Sequence, residues 1–113
     1  MARRYVPNRG DLVWLKFNPQ AGHEQSGVRP ALVISPKSYN SKVGLALFCP
    51  ITKKVKGYPF EVDIPKNQKA SGTILSDQIK SLDGRVRKAK KIERVPDEVI
   101  QEVLAKIESL IWG

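Results

Sequence analysis

Scarcity is informative here. The 113 residues hold one cysteine, Cys49, and one histidine, His23. A lone cysteine excludes an internal disulfide. Its place in the apolar run LALFCPI, with no basic neighbour in sequence, fits a buried, inert thiol better than a nucleophile. With so few soft ligands there is no HxH or CxxC pair and no clustered DxD, so nothing has metal-ligand spacing. His23, in a glycine-flanked loop, fits a solvated side chain better than a ligand or base, though the latter stays open. No nucleophile elbow and no GxxxxGK[ST] phosphate loop occur. No apolar run is long enough to span a bilayer, and MARRYVPNRG is followed by no apolar h-region, so the expected location is the cytoplasm. Carboxylates are scarce as well: 11 Asp and Glu face 20 Lys and Arg, a net charge of +9. Such a surface attracts polyanions, nucleic acid above all, although a generally basic surface would look the same.

What is present suits one domain with a modest core, spanning 1–113, without repeats or linkers. GDLVWLKFNP predicts a strand with Val13, Leu15 and Phe17 on one face and Leu12, Trp14 and Lys16 on the other. Residues 20–28 lack periodicity and read as a loop. ALVIS is a second strand, SYNSKVG turn-like, and GLALFCPIT a long third strand. KKVKG is a basic loop, and FEVDI a fourth strand with Phe60, Val62 and Ile64 inward. TILSDQIKSLDG mixes a fifth strand with a turn or short helical piece, and RVRKAKKIERV supplies a last strand. The C-terminus changes period: Val99, Ile100, Val103, Leu104, Ile107, Leu110 and Ile111 form one helical stripe. Pro96 suits the first helical position, and Asp97 and Glu98 suit the positive end of the dipole. Short strands plus one terminal helix predict a strongly curved sheet or partly open barrel, mainly β with α.

The residues left for chemistry stand at strand ends and on loops. Arg29 precedes Pro30, which restricts its backbone to extended geometry, and its guanidinium can grip a phosphate with two hydrogen bonds. An ion pair with Glu24 would explain Arg29 equally well. Thr52 closes the third strand just before Lys53, Lys54 and Lys56, where its hydroxyl can donate to a phosphate oxygen or simply end a strand. Tyr58 offers a ring on which a base can stack, in a loop that is otherwise a solvated lysine run.

Taken together, YVPNRGDLVWLKFNP, HEQSGVRPALVISP, CPIT, KGYPFEV and LSDQIKSLD resemble the MazF/PemK toxin family, the mRNA interferases of type II toxin–antitoxin systems. The resemblance implies an SH3-like small barrel of the CcdB/PemK/MazF kind with a C-terminal amphipathic helix, usually a homodimer. It implies sequence-specific, metal-independent and cofactor-free cleavage of single-stranded RNA. It implies neutralisation by an acidic MazE-like antitoxin, with operator DNA bound only through that antitoxin and no membrane contact. Carried over residue by residue, Arg29, Thr52 and Glu24 are the catalytic candidates. Phe17, Asn18, Gln25, Lys56, Tyr58, Asp77 and Gln78 are the RNA-binding candidates. Lys16 stands where an acidic or polar residue is expected in many relatives, a departure that bears on RNA affinity or base preference.

Without a metal, RNA is cut most simply by its own 2′-hydroxyl, which leaves a 2′,3′-cyclic phosphate and a 5′-hydroxyl. Arginine holds its proton beyond pH ~12, so its chemistry suits a stabiliser of the phosphorane better than a base. The sequence leaves the base open between Glu24 and His23. Two other classes compete: a gyrase-binding toxin like CcdB on the same scaffold, for which the ESLIWG terminus would carry the contact, and a non-catalytic RNA-binding barrel. The E-Q-x-G-x-R-P block favours the enzyme.

Overall fold

The computed structural model describes residues 4–17 and 27–113. Asn18, His23, Glu24 and Gln25 lie outside the described residues. Strands β1 (Asp11–Lys16), β2 (Val28–Val33) and β3 (Ala46–Thr52) form an antiparallel meander. A short helix α1 (Lys37–Val43) joins β2 to β3. Then come β4 (Glu61–Asp63), β5 (Thr73–Leu75), β6 (Lys80–Leu82), β7 (Lys90–Arg94) and the helix α2 (Asp97–Trp112). The seven strands run β4-β5-β3-β2-β1-β7, with β5 and β6 both paired to β3: β5 beside Ile51 and Thr52, β6 beside Ala46 to Phe48.

The alternation in β1 through β3 packs two cores, one on each face of the sheet. Leu12, Leu32, Cys49 and Ile51 turn toward α2, whose Val99, Ile100, Val103 and Ile107 cover them. Val13, Leu15, Ala31, Val33 and Phe48 turn the other way, where Tyr5, Phe17, Leu82 and Ala89 close over them. Because a strand has period two, residues of matching parity share a face. Arg29 therefore belongs to the Ala31 face and Thr52 to the Phe48 face, which is one and the same side.

Four expectations need correction. SYNSKVG is helical rather than a turn. It lacks an apolar stripe, and its helix is held by hydrogen bonds from outside: Asn40 is buried, accepts from Ser35 Oγ at 2.6 Å and donates to the Pro7 carbonyl at 2.7 Å. The TILSDQIKSLDG segment is two strands separated by a turn, since β3 has room for two short partners end to end on one edge. The helical stripe is buried only as far as Ile107: Leu110, Ile111 and Trp112 are exposed, because α2 outruns the sheet beneath it. Pro96 caps α2 from just outside, and Asp97 is its first helical residue.

Candidate nucleic-acid interface

Antiparallel pairing of Ala31 with Pro50 and of Leu32 with Cys49 fixes the register between β2 and β3. Carried two residues onward, that register sets Arg29 beside Thr52, at the strand ends and on the same face. Arg29 is exposed and Pro30 half-buried, so the chain emerges from the core at the arginine. The backbone around Thr52 is fixed from behind. Gly72 packs so tightly that an added Cβ would lie 2.7 Å from the Thr52 carbonyl oxygen, and its φ of +129° favours glycine.

Beside Thr52 opens a cavity of about 170 Å³ lined by Lys54, Lys56, Tyr58, Glu61 and Gln78. Its far wall, the loop after β3, is shaped by Glu61. The two carboxylate oxygens of Glu61 accept the backbone N–H groups of Lys56 and Gly57, each at 2.9 Å. Thr52 Oγ1 accepts the Lys54 N–H at 3.1 Å, so its own hydroxyl proton is left to donate outward. Tyr58 is less free than expected. Its hydroxyl donates to Asp77 Oδ1 at 2.8 Å, and its ring tilts against Phe60 with centroids 6.4 Å apart. That hydrogen bond, more than burial, raises the phenol pKa above its usual value. Asp77 and Gln78 sit on the exposed turn between β5 and β6, closed by a Gln78 N–H to Leu75 carbonyl bond of 3.1 Å.

The structure thus gathers Thr52, Lys56, Tyr58, Asp77 and Gln78 around one cleft, with Arg29 on the adjoining strand. Phe17 contributes differently. Its ring packs on the second core, and its N–H donates to the Gly27 carbonyl at 3.0 Å, tying the described residues 17 and 27 together. Arg87, absent from the sequence-based set, holds Phe17 in place: its guanidinium donates to the Phe17 carbonyl, and its own carbonyl accepts the Lys16 N–H at 2.8 Å. Glu61 and Arg87 both act on backbone groups, which leave no pattern in a sequence.

Cys49 is buried, as its apolar run predicts, and burial with the nearby Asp77 charge pushes its thiol up to about 12. Among the described residues no three His, Cys, Asp or Glu side chains converge to hold a metal ion. No helix among them is long and apolar enough to cross a membrane.

These features define a small, strongly curved β-barrel with a cationic cleft at one strand end, suited to a polyanion. The chain belongs to the family of PemK-like, MazF-like toxins of type II toxin–antitoxin systems, whose model matches residues 8–111. It is 49% identical over 111 residues to the endoribonuclease toxin MazF of Escherichia coli strain K12, spanning 98% of this chain and 99% of that one. The Escherichia coli endoribonuclease PemK is 31% identical over 121 residues, 98% of this chain and 90% of that one. Among solved structures, MazF from Deinococcus radiodurans superposes with a TM-score of 0.87 at 51% identity, covering 97% of this chain and 100% of that one. A MazE–MazF complex from the same organism gives 0.85 at 45% identity, covering 96% and 97%.

Proposed function

We propose that this chain is the endoribonuclease toxin of a type II toxin–antitoxin pair, a single toxin domain that cleaves single-stranded RNA in the cytoplasm at Arg29 and Thr52. The observation that supports this reading is the register of β2 on β3, which, carried onward, puts Arg29 and Thr52 on one face, with a lysine-lined cleft beside Thr52. Relatives named as endoribonucleases support the activity, and MazE–MazF complexes among the similar structures support an acidic MazE-like antitoxin as partner. The same names leave a binding-only gyrase poison without support.

In the proposed reaction the 2′-hydroxyl loses its proton and attacks the adjacent phosphorus, and the 5′-oxygen leaves with a proton. The Arg29 fork binds the two non-bridging oxygens, where charge builds, and Thr52 donates to one of them. Lys56, Tyr58, Asp77 and Gln78 hold the bases next to the cut, and Phe17, Asn18 and Gln25 complete the set of RNA-binding residues. The proton is handled by the 18–26 loop, through Glu24 or His23. The step draws on no metal. The active species is a homodimer, for which the exposed Leu110, Ile111 and Trp112 are candidate contacts, and operator DNA is reached only through the antitoxin.

Incubating purified protein with a long single-stranded RNA, in EDTA, and mapping the ends is the direct test. Discrete cuts with 5′-hydroxyl termini are expected. Intact RNA, or cleavage that returns only with Mg²⁺, would overturn the reading.

A further inference from the structure

A second basic region lies at the opposite end of β3, about 20 Å from Thr52 at roughly 3.3 Å per strand residue. Three cavities meet there, of about 170, 550 and 440 Å³, and all three are lined by Arg4 and Tyr5. Gly84 lines two of them, beside Ala89, Pro7 and the Phe48 ring. Arg4, Arg85 and Lys88 line this region, and all three are exposed.

Its carboxylates are already engaged. Asp83 accepts the Arg85 and Val86 N–H groups at 2.9 and 3.3 Å. Asp11 is buried, accepts from the Tyr5 hydroxyl at 2.6 Å and pairs with Lys91 at 3.5 Å. Among the described residues the only ion pairs are that one and Arg94–Asp97, so Arg4, Arg85 and Lys88 carry unneutralised charge.

The segment presenting Arg85 and Lys88 is a tightly bonded turn. The N–H groups of Arg87, Lys88 and Ala89 donate to the carbonyls of Asp83, Arg85 and Gly84 at 3.0, 3.1 and 2.7 Å. Lys88 adopts a left-handed φ of +56°, uncommon for a lysine. The same turn carries Arg87, whose guanidinium donates to the Phe17 carbonyl at the end of β1. One rigid element therefore joins the cleavage end of the barrel to the distal cations.

We propose that Arg4, Arg85 and Lys88 form a track for the phosphates of single-stranded RNA flanking the cleaved bond. This rests on the function proposed above. A strand gripped at Arg29 and leaving past Phe17 meets the 83–89 turn next. Its phosphates, one per nucleotide, match separated cations better than the close-packed pocket a single anion would need. Tyr5, packed on the second core with its hydroxyl tied to Asp11, fixes the wall beside them. The track adds affinity without reading bases, so it acts on long substrates and leaves the choice of cut site unchanged.

The test compares the wild type with a triple variant, Arg4→Ser, Arg85→Ser and Lys88→Asn, asparagine being chosen because it tolerates the left-handed backbone. Each is assayed on a long single-stranded RNA and on a short oligonucleotide filling only the cleft, over a salt series. Cleavage of the oligonucleotide should be unchanged. On the long RNA, kcat/KM should fall about tenfold at low salt, and the log–log salt slope should flatten by about 0.7 for each phosphate no longer neutralised. Equal kcat/KM on the long RNA would overturn the track, as would an equal loss on both substrates, which would mark a structural role. So would unaltered RNA cleavage with weakened inhibition by the antitoxin, which would assign the surface to that acidic protein. If the wild type leaves the oligonucleotide uncut, the endoribonuclease reading itself has failed.

Discussion

Arg29 and Thr52 are interpretable one atom at a time. In the proposed reaction, replacing Arg29 with alanine removes the donors that meet the developing charge. Cleavage should fall by roughly 10²–10³, about 2.7–4 kcal/mol of barrier. Arg29→Lys should recover little of that, because an ammonium lacks the planar fork. Circular dichroism of both variants should match the wild type, since Arg29 is exposed and buries nothing. Glu61 predicts a different signature. It touches no reacting group and only holds two amides of the lysine loop. Glu61→Gln should raise KM by roughly tenfold, the scale of one charged hydrogen bond, while kcat changes little. A matching fall in kcat would instead place Glu61 in the chemistry. Cys49 gives a pH prediction. Its folded-state pKa is raised from 9.0 to about 12, so the native chain holds that proton more tightly than the unfolded chain does. The thiol's contribution to stability is present below about pH 9 and is lost as pH rises toward 12. Urea melts of wild type and Cys49→Val should diverge across that window, the wild type losing more.

At the scale of elements, the turn before β5 and the helix α1 are the sensitive connections. Gly72→Ala adds a Cβ 2.7 Å from the Thr52 carbonyl in a left-handed backbone, so β3 must shift or the strain must stay. Thermal unfolding should show a loss of about 1–3 kcal/mol, with cleavage impaired more than stability alone explains, because Thr52 moves too. Asn40→Ala strips the buried partner from Ser35 Oγ and the Pro7 carbonyl, and should cost a further 1–3 kcal/mol or so without touching the cleft. These elements also show which structure a linear pattern can carry. The alternation in β1 and the 3.6-residue stripe of α2 are legible because burial imposes a period on the chain. Helix α1 is not, because its one anchoring residue bonds to Pro7 and Ser35, and a polar contact at long range leaves no period. The division of TILSDQIKSLDG into two strands likewise reflects how many partners the edge of β3 accepts.

For the molecule as a whole, the +9 charge includes two separate groups of cations, Lys54 and Lys56 beside Thr52 and Arg4, Arg85 and Lys88 away from it. The cleft beside Thr52 and the distal cations lie about 20 Å apart at roughly 3.3 Å per strand residue, so, with the cleavage site proposed above, RNA affinity should depend steeply on ionic strength while the position of the cut does not. The exposed Leu110, Ile111 and Trp112 belong to this scale too: an apolar helix end left open by one chain fits burial against a second copy. Sedimentation should return twice 12.7 kDa for the free protein.

The sequence by itself determined which residue types were available and which were not. One histidine and one cysteine left no metal-ligand motif, the apolar periods set the strands and the terminal helix, and Pro30 placed Arg29 at a strand mouth. Those properties are local, so a linear pattern records them. Only the tertiary structure decided that Arg29 and Thr52 share a face, that Glu61 holds the backbone of the cleft wall, and that Arg87 holds the Phe17 carbonyl. Each of these depends on strand register or on a backbone hydrogen bond between distant segments, and neither is written in the order of side chains along the chain.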